Sequence, residues 1–310
     1  MYADLFAGTA GNPAGDLAIL FCRPRGGISA SDRFEYEAHA AEQLNIPYHV
    51  IPIESIVNEE FAFALEHLPP GCGRRWIFRG WMLSAEEYTG LYEAMLDRGD
   101  SLVTSPAAFE AASYIPEYVP NIEDCTFPTR WIWGTDLREA WDAANELGPP
   151  PWIVKDHVKS AKDDWDEATF VPHGASRSRF EEICRNLIDA RGDRFERGIV
   201  IRAFVPLDRL PHHDAERLLF DEHRLLFWEG RIAAASPYND DADAERPDYE
   251  RLFSFLGERI DAPFFAADVA RTEDGRWIVV EINDGGSVTL PDLLDPRELY
   301  AEIIATAASI

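Results

Sequence analysis

Apolar and polar positions in the first third of the chain switch repeatedly between two periods. LAILFCR, from Leu17, is a continuous apolar run of strand length. RFEYEAHAAEQLN has the spacing of an amphipathic helix, and IPYHVIPI returns to a strand. RRWIFRGW predicts a further strand. It leads into a helix over SAEEYTGLYEAMLDRG, in which Ser84 and Glu87 form a capping box and Gly99 supplies the stop. Strands and helices in alternation predict an α/β segment built on a small parallel sheet. The pattern breaks between Ser105 and Thr129, where Pro106, Pro116, Pro120 and Pro128 predict an irregular connection with a domain boundary near Asp124.

Beyond that boundary the periods change. TDLREAWDAANELG predicts a helix capped by Thr135 and ended by Gly148, and PPPWIVKDHVKS begins as a strand. Ser178 and Glu181 predict a second capping box, opening the helix FEEICRNLIDARG. A strand in GIVIRAFVPLD follows, and RLLFWEGRIAAAS predicts a hairpin turning at Glu229-Gly230. Next come a helix around DYERLFSFLGERI, a second hairpin in FFAADVARTEDGRWIVVEINDGG, and a last helix ending at Ile310. This half reads as α+β with antiparallel hairpins. No internal repeat is present, and the acidic stretch NDDADAERPD is a solvated connection.

The second hairpin carries the most specific chemistry. Asp274-Gly275 favours a two-residue turn, which sets Glu273 against Arg276 and, counting outward, Asp268 opposite Glu281. Opposed side chains share one face at roughly 4.5–5.5 Å, and Asn283, two beyond Glu281, points the same way. Carboxylates that close repel unless a cation lies between them. A hard ion such as Mg2+ takes this donor set, completed by waters and substrate phosphates. The plain alternative is an exposed polar hairpin face.

Composition narrows the function classes. A chain of 310 residues, 46% hydrophobic with nine Trp, has material for two domains and substantial cores. Its formal charge of -27 argues against a nucleic-acid backbone or an anionic membrane as partner of the whole surface. Cys22, Cys72, Cys125 and Cys184 lie far apart without a CxxC pair, so neither a zinc knuckle nor a disulfide framework is indicated. With no secretion-signal pattern and no run of about 20 apolar residues, the expected location is the cytoplasm.

Other segments offer charges. Lys155 ends the apolar run PWIV in a chain with few lysines, and Lys159 and Lys162 follow closely. A lysine at a strand end can neutralise phosphate, with KSAKDD closing as a lid; the alternative is a snorkelling lysine at a sheet edge. Ala203 and Val205, before Pro206, can offer backbone groups to an adenine edge, or simply belong to a core strand. Glu222 and Arg224 share a face, and Arg224 can hold a phosphate or carboxylate bidentately, or form an exposed ion pair with its neighbour. GTAGNPAG and PRGGISASD lack Walker and dinucleotide spacing and read as turns, although PRGG can meet an anion at a helix start. The eight histidines, His212-His213 included, show no metal-ligand spacing.

Taken in order, Lys155 after an apolar strand, the hinge RAFV, the strand EHR, and Asp268, Glu281 and Asn283 in DVARTEDGRWIVVEIN resemble the ATP-grasp superfamily. The most specific likeness is to carboxylate-amine ligases such as D-alanine-D-alanine ligase and the RimK-type ligases, and it covers residues 126–310. The resemblance implies a pre-ATP-grasp α/β domain over residues 1–125. An ATP-grasp domain of two subdomains, 126–198 and 199–310, would follow. It further implies that Asp268, Glu281 and Asn283 hold Mg2+, that Lys155 contacts the α- and β-phosphates of ATP, and that Ala203 and Val205 meet adenine. Asp208 is the implied ribose partner and Glu222 a further nucleotide contact.

Two departures stand out. Ala266 occupies the position, two before the metal-binding aspartate, where many relatives carry arginine. The chain looks like a clade in which a lysine compensates, with Lys159 and Lys162 the first choices and Arg224 another. The early lysine of many relatives also has no counterpart between Ser105 and Arg130, where Arg130 is the nearest substitute.

The implied activity is an ATP-dependent ligase that joins a carboxylate to an amine through an acylphosphate. Arg224, Lys159 and Lys162 would act at the reacting groups, and backbone amides of GGSVTL would approach the phosphoryl group. Substrates would be small molecules or peptides, and a homodimer is a form that relatives often take. An ATP-grasp kinase acting on a hydroxyl and a non-catalytic nucleotide-binding regulator are the alternatives.

Overall fold

The computed structural model describes residues 15–24, 30, 33–69, 71, 73–159, 164–210, 219–238 and 246–307. In chain order the strands are β1 (Leu17–Arg23), β2 (Tyr48–Pro52), β3 (Arg75–Arg79), β4 (Ser101–Leu102), β5 (Thr129–Trp131), β6 (Trp152–Asp156), β7 (Phe170–Val171), β8 (Ile199–Ala203), β9 (Glu222–Trp228), β10 (Arg231–Pro237), β11 (Phe264–Arg271) and β12 (Trp277–Asp284). They form sheets in the orders β2-β1-β3-β4, β5-β8-β6-β7 and β10-β9-β11-β12. The first sheet is parallel, as the alternation of strand and helix predicts. In the second, β8 runs antiparallel to both β5 and β6, and β6 to β7. An α/β start followed by an α+β remainder is therefore the observed architecture.

Compactness divides the chain into two discontinuous units, one of Met1–Ala112, Glu222–Asp268 and Asn283–Ile310, the other of Ser113–Asp221 and Val269–Ile282. The expected boundary at residues 125 and 126 follows chain order, whereas these units follow packing. In the first unit, β1 and β3 share a core with Leu226, Trp228, Phe264 and Ala266 and with the last helix, Pro296–Ala307, through Leu299, Tyr300 and Ile303. The apolar run Leu17–Cys22 is completely buried, which is why it lacks the alternation of a half-exposed strand.

The second unit is a two-layer structure. The helices Leu137–Asn145 and Arg177–Arg191 cover one face of β5-β8-β6-β7 through Ala140, Ala144, Phe180, Ile183 and Leu187. Against them the sheet presents Trp152, Val154, Ile199 and Ile201. Trp152 meets Trp141 and Phe180 edge to face, and each such large side chain contributes about 1.5–3 kcal/mol on burial. Alternation then sends Lys155 and Arg202 to the opposite face.

Local differences from expectation have simple causes. The proline-rich stretch forms two helices, Pro106–Ser113 and Ile115–Ile122. Pro106 and Pro116 sit in first turns, where no amide partner is lost, and burial of Ile115, Tyr118, Val119 and Ile122 carries Pro120 inside the second. The cap at Ser84 and Glu87 is present as a full capping box. Asp136 rather than Thr135 caps Leu137–Asn145, accepting from Arg138 and Glu139 amides, because a carboxylate also meets the positive helix end. Ser176 rather than Ser178 caps Arg177–Arg191. The segment around DYERLFSFLGERI breaks into Tyr249–Phe253 and Leu256–Arg259.

The two hairpins turn differently. Trp228 pairs with Arg231 across Glu229 and Gly230, both with positive φ, a two-residue turn as expected. At the other hairpin the Thr272 amide donates to the Arg276 carbonyl at 2.8 Å and the Gly275 amide to the Thr272 carbonyl at 2.8 Å. The loop thus holds three residues, with Gly275 at φ +82° as a bulge. Thr272, not Glu273, faces Arg276; its hydroxyl also donates to Asp274, which stabilises the wider loop. The outward count that opposed Asp268 to Glu281 shifts by one residue, so that pairing does not follow from the turn.

Candidate active site

Lys155 and Glu281 form the centre of the site in the second unit. Lys155 Nζ lies 2.5 Å from Glu281 Oε1, with both residues buried, and Lys159 Nζ lies 3.8 Å from Glu281 Oε2. Asp156 shapes the approach of Lys159. Its Oδ1 accepts the amides of Val158 and Lys159 at 2.8 and 2.5 Å, while its amide donates to the Lys159 carbonyl at 2.9 Å. Asp156 points to the helix-covered face, where Arg191 pairs with it at 2.7 Å. A neutralised carboxylate therefore bends the chain at the end of β6 and brings the second lysine back beside the first. The chain's three lysines all fall within residues 155–162, and Lys162 itself lies outside the described residues.

Burial holds the Lys155 ammonium down to a pKa of about 8, with Arg202 and Lys159 adding repulsion against the opposing pull of Glu281. Arg202 sits on the same sheet face. It donates to Thr129 Oγ1 at 3.3 Å, Thr126 Oγ1 at 2.7 Å and the Val280 carbonyl at 2.7 Å, and its guanidinium lies 4.6 Å from the Phe127 ring centre. Arg202 was not among the expected site residues. The available signal was an arginine inside GIVIRAFV, since a charged residue in a buried strand needs a reason. Arg130, the expected substitute for the early lysine, lies on the other face, pairing at the surface with Glu146 at 2.8 Å; the inward position of β5 is Thr129, opposite Arg202.

Other expected residues fall as follows. The Ala203 amide donates to the Pro128 carbonyl at 2.9 Å, and Val205 lies just past the end of β8. Asp208 accepts from Arg271 at 3.0 and 2.7 Å, and Arg271 also pairs with Asp221 at 3.1 Å.

In the first unit, Arg224 grips Asp268 bidentately at 2.7 and 2.8 Å and also donates to the Thr289 carbonyl at 2.8 Å. Glu222 opens the same strand, half-buried, its carbonyl accepting the Tyr238 amide at 2.8 Å. Asn283 is buried near the end of β12. The cation absent at Ala266 is thus supplied to Asp268 from the neighbouring strand. Residues 8–14, Arg25 to Gly27 and His212-His213 lie outside the described residues.

The turn after Asn283 is held tightly. Arg79, fully buried, donates to the Gly285 carbonyl, and the Gly80 amide to the Gly286 carbonyl at 3.0 Å. A Cβ on Gly285 would meet the Phe264 ring at 2.7 Å. Asp284 Oδ2 accepts from Ser287 Oγ at 3.0 Å and draws the amides of Gly286 and Ser287, so these amides face Asp284. Asp284 Oδ1 has no hydrogen-bond partner among the described residues, and burial lifts the carboxyl pKa from 3.8 to about 7. A raised carboxyl pKa means that the folded state holds the proton more tightly, so stability falls as pH rises from 3.8 to about 7. Asp284→Asn removes this slope; in urea denaturation the variant gains on the wild type between about pH 5 and about pH 8.

Among the described residues no group of three or more His, Cys, Asp or Glu can hold a metal, and no helix is long and apolar enough to cross a membrane. Two carboxylates and an amide, at Asp268, Glu281 and Asn283, remain the hard-oxygen donors. Each Asp268 oxygen keeps a second lone pair beyond its bond from Arg224.

Residues 146–303 match a family profile described as an ATP-grasp domain, family 3 of its clade. No curated protein matches the sequence. Among solved structures, a RimK domain ATP-grasp protein from Sphaerobacter thermophilus DSM 20745 is similar at TM-score 0.60 and 15% identity, covering 93% of this chain and 99% of that one. D-cycloserine synthetase DcsG is similar at TM-score 0.62 and 16% identity, covering 94% and 99%. The ATP-grasp ligase PsnB, complexed with minimal precursor, Mg and ADP, is similar at TM-score 0.54 and 11% identity, covering 94% and 98%.

Proposed function

The chain belongs to the ATP-grasp family, and on that premise we propose an ATP- and Mg2+-dependent ligase that joins a carboxylate to an amine, releasing ADP and phosphate. The observation that carries this reading is the buried Lys155–Glu281 pair with Lys159 beside it. Cations held in a dry site are what a polyphosphate requires, and a carboxylate among them is a natural metal ligand. The ligands of PsnB, Mg and ADP, support the same assignment.

In this reading a carboxylate oxygen of the substrate attacks the γ-phosphorus, ADP leaves, and the amine nitrogen then displaces phosphate from the acyl carbon while losing a proton. Lys155 and Lys159 neutralise phosphate charge, and Arg224 orients the phosphoryl or acyl group from its anchorage on Asp268. Asp268, Glu281 and Asn283 would hold Mg2+, which when bound offsets charge on the phosphate oxygens. Ala203 and Val205 offer backbone groups to adenine, and Glu222 and Asp208 serve the nucleotide. No side-chain nucleophile is needed.

Incubation with ATP, Mg2+ and panels of amino acids and short peptides, followed by mass spectrometry and nucleotide chromatography, tests the reading. An amide-containing product with ADP and phosphate is expected. AMP with pyrophosphate would exclude the acylphosphate route, and a phosphorylated hydroxyl without a new amide would identify a kinase.

A further inference from the structure

One buried charge in the second unit has no acid of its own. Arg202 is 4% exposed, yet its hydrogen bonds go to two threonine hydroxyls and a backbone carbonyl, all neutral. Buried guanidinium groups ordinarily find a carboxylate, because the desolvation of an unpaired charge is costly. Asp156 and Asp208 do not fill that role, since Arg191 and Arg271 hold them. Tyr118 and Glu281 are the acidic groups acting on Arg202, and Glu281 is already paired with Lys155 and approached by Lys159.

Register places these cations together. Ile153 opposes Arg202 and Lys155 opposes Val200, so both cationic side chains leave the sheet on the face away from the helices. Two buried cations and a partly exposed third thus act on a single carboxylate. The surplus is positive, and an anionic ligand is what would balance it.

We infer that Arg202 is a second buried counter-charge of a nucleoside di- or triphosphate site, acting with Lys155 on the phosphates through the low-dielectric interior. This rests on the nucleotide reading above. Arg202 is a positioning residue: its bond to the Val280 carbonyl also fixes the backbone next to Glu281, assisted by Thr126, whose hydroxyl donates to the Val279 carbonyl at 2.7 Å. Position and charge are separable, because a purely structural role would affect every ligand alike. A charge role scales with the number of phosphates.

Calorimetric titration of the full chain with ADP and with adenosine, each with Mg2+, decides between them. For Arg202→Gln, ADP affinity falls by about tenfold or more while adenosine affinity changes by less than about twofold, and Arg202→Lys keeps the wild-type ratio of the two within about threefold. Equal losses for both ligands, or none, overturn the inference. Should Arg202→Gln fail to give a cooperative thermal transition, the Lys variant decides alone: a collapsed ratio overturns the inference and a preserved one supports it. A wild-type chain that binds ADP no better than adenosine overturns the nucleotide reading itself, and the inference with it. That outcome appears before any variant is made.

Discussion

Lys155→Met lowers ATP-dependent product formation by about 10²-fold or more, the scale seen when a single donor to a reacting group is removed from a dry site. Two effects act together. The phosphates lose a buried cation, and Glu281 loses its partner at 2.5 Å, keeping only Lys159 at 3.8 Å. ADP release measured with a coupled assay reports the loss; a change below about threefold would remove Lys155 from the mechanism.

The same side chain predicts a pH dependence. Burial holds its pKa at about 8, so nucleotide affinity should fall as pH rises through that value and the ammonium is lost. Folding stability moves oppositely. The unfolded chain keeps the proton up to 10.5, so between about 8 and 10.5 it binds more protons than the folded state, and stability rises with pH there. The Met variant should show neither trend.

Arg79→Met destabilises the fold by about 3–5 kcal/mol, because it strands Glu37 without its counter-ion in the core. Arg79 donates to Glu37 through Nε at 2.8 Å and Nη2 at 2.5 Å, and Tyr300 donates to the same carboxylate at 2.7 Å. The guanidinium also lies 5.2 Å from the Phe34 ring centre and 6.0 Å from that of Phe264. Chemical denaturation measures the loss. Replacing Glu37 by Met as well should recover most of it, since a buried pair is weak evidence for net stability whereas a broken one is expensive. If the double variant is no more stable than the single one, the cost lies in packing around Phe34 and Phe264 instead of in the stranded charge.

Much of the site was legible because strand period and charge are local properties. Lys155 at the end of an apolar run, Glu222 and Arg224 sharing a face, and the Glu229-Gly230 turn all follow from side-chain alternation and from glycine's freedom at positive φ. The Asp274-Gly275 loop was not legible to the residue. Both two- and three-residue loops accept Asp-Gly, and the Thr272 hydroxyl bonds that support the wider loop depend on the folded turn.

Arg79 and Arg202 show the same limit from the other direction. Each stands in a strand-like run as an apparent interruption, at RRWIFRGW and GIVIRAFV, and nothing local reveals its partners. Glu37 lies 42 residues from Arg79, and Val280 lies 78 from Arg202. By itself the sequence determined the strand and helix periods, the parallel start and antiparallel remainder, and the order of site residues that resembles an ATP-grasp ligase. Only the tertiary structure decided which cation meets which carboxylate. Lys155 takes Glu281, Arg224 takes Asp268, and Arg202 is left with neutral oxygens. Such pairings depend on distances across the fold and on the exclusion of water, and neither is encoded in any single stretch of chain.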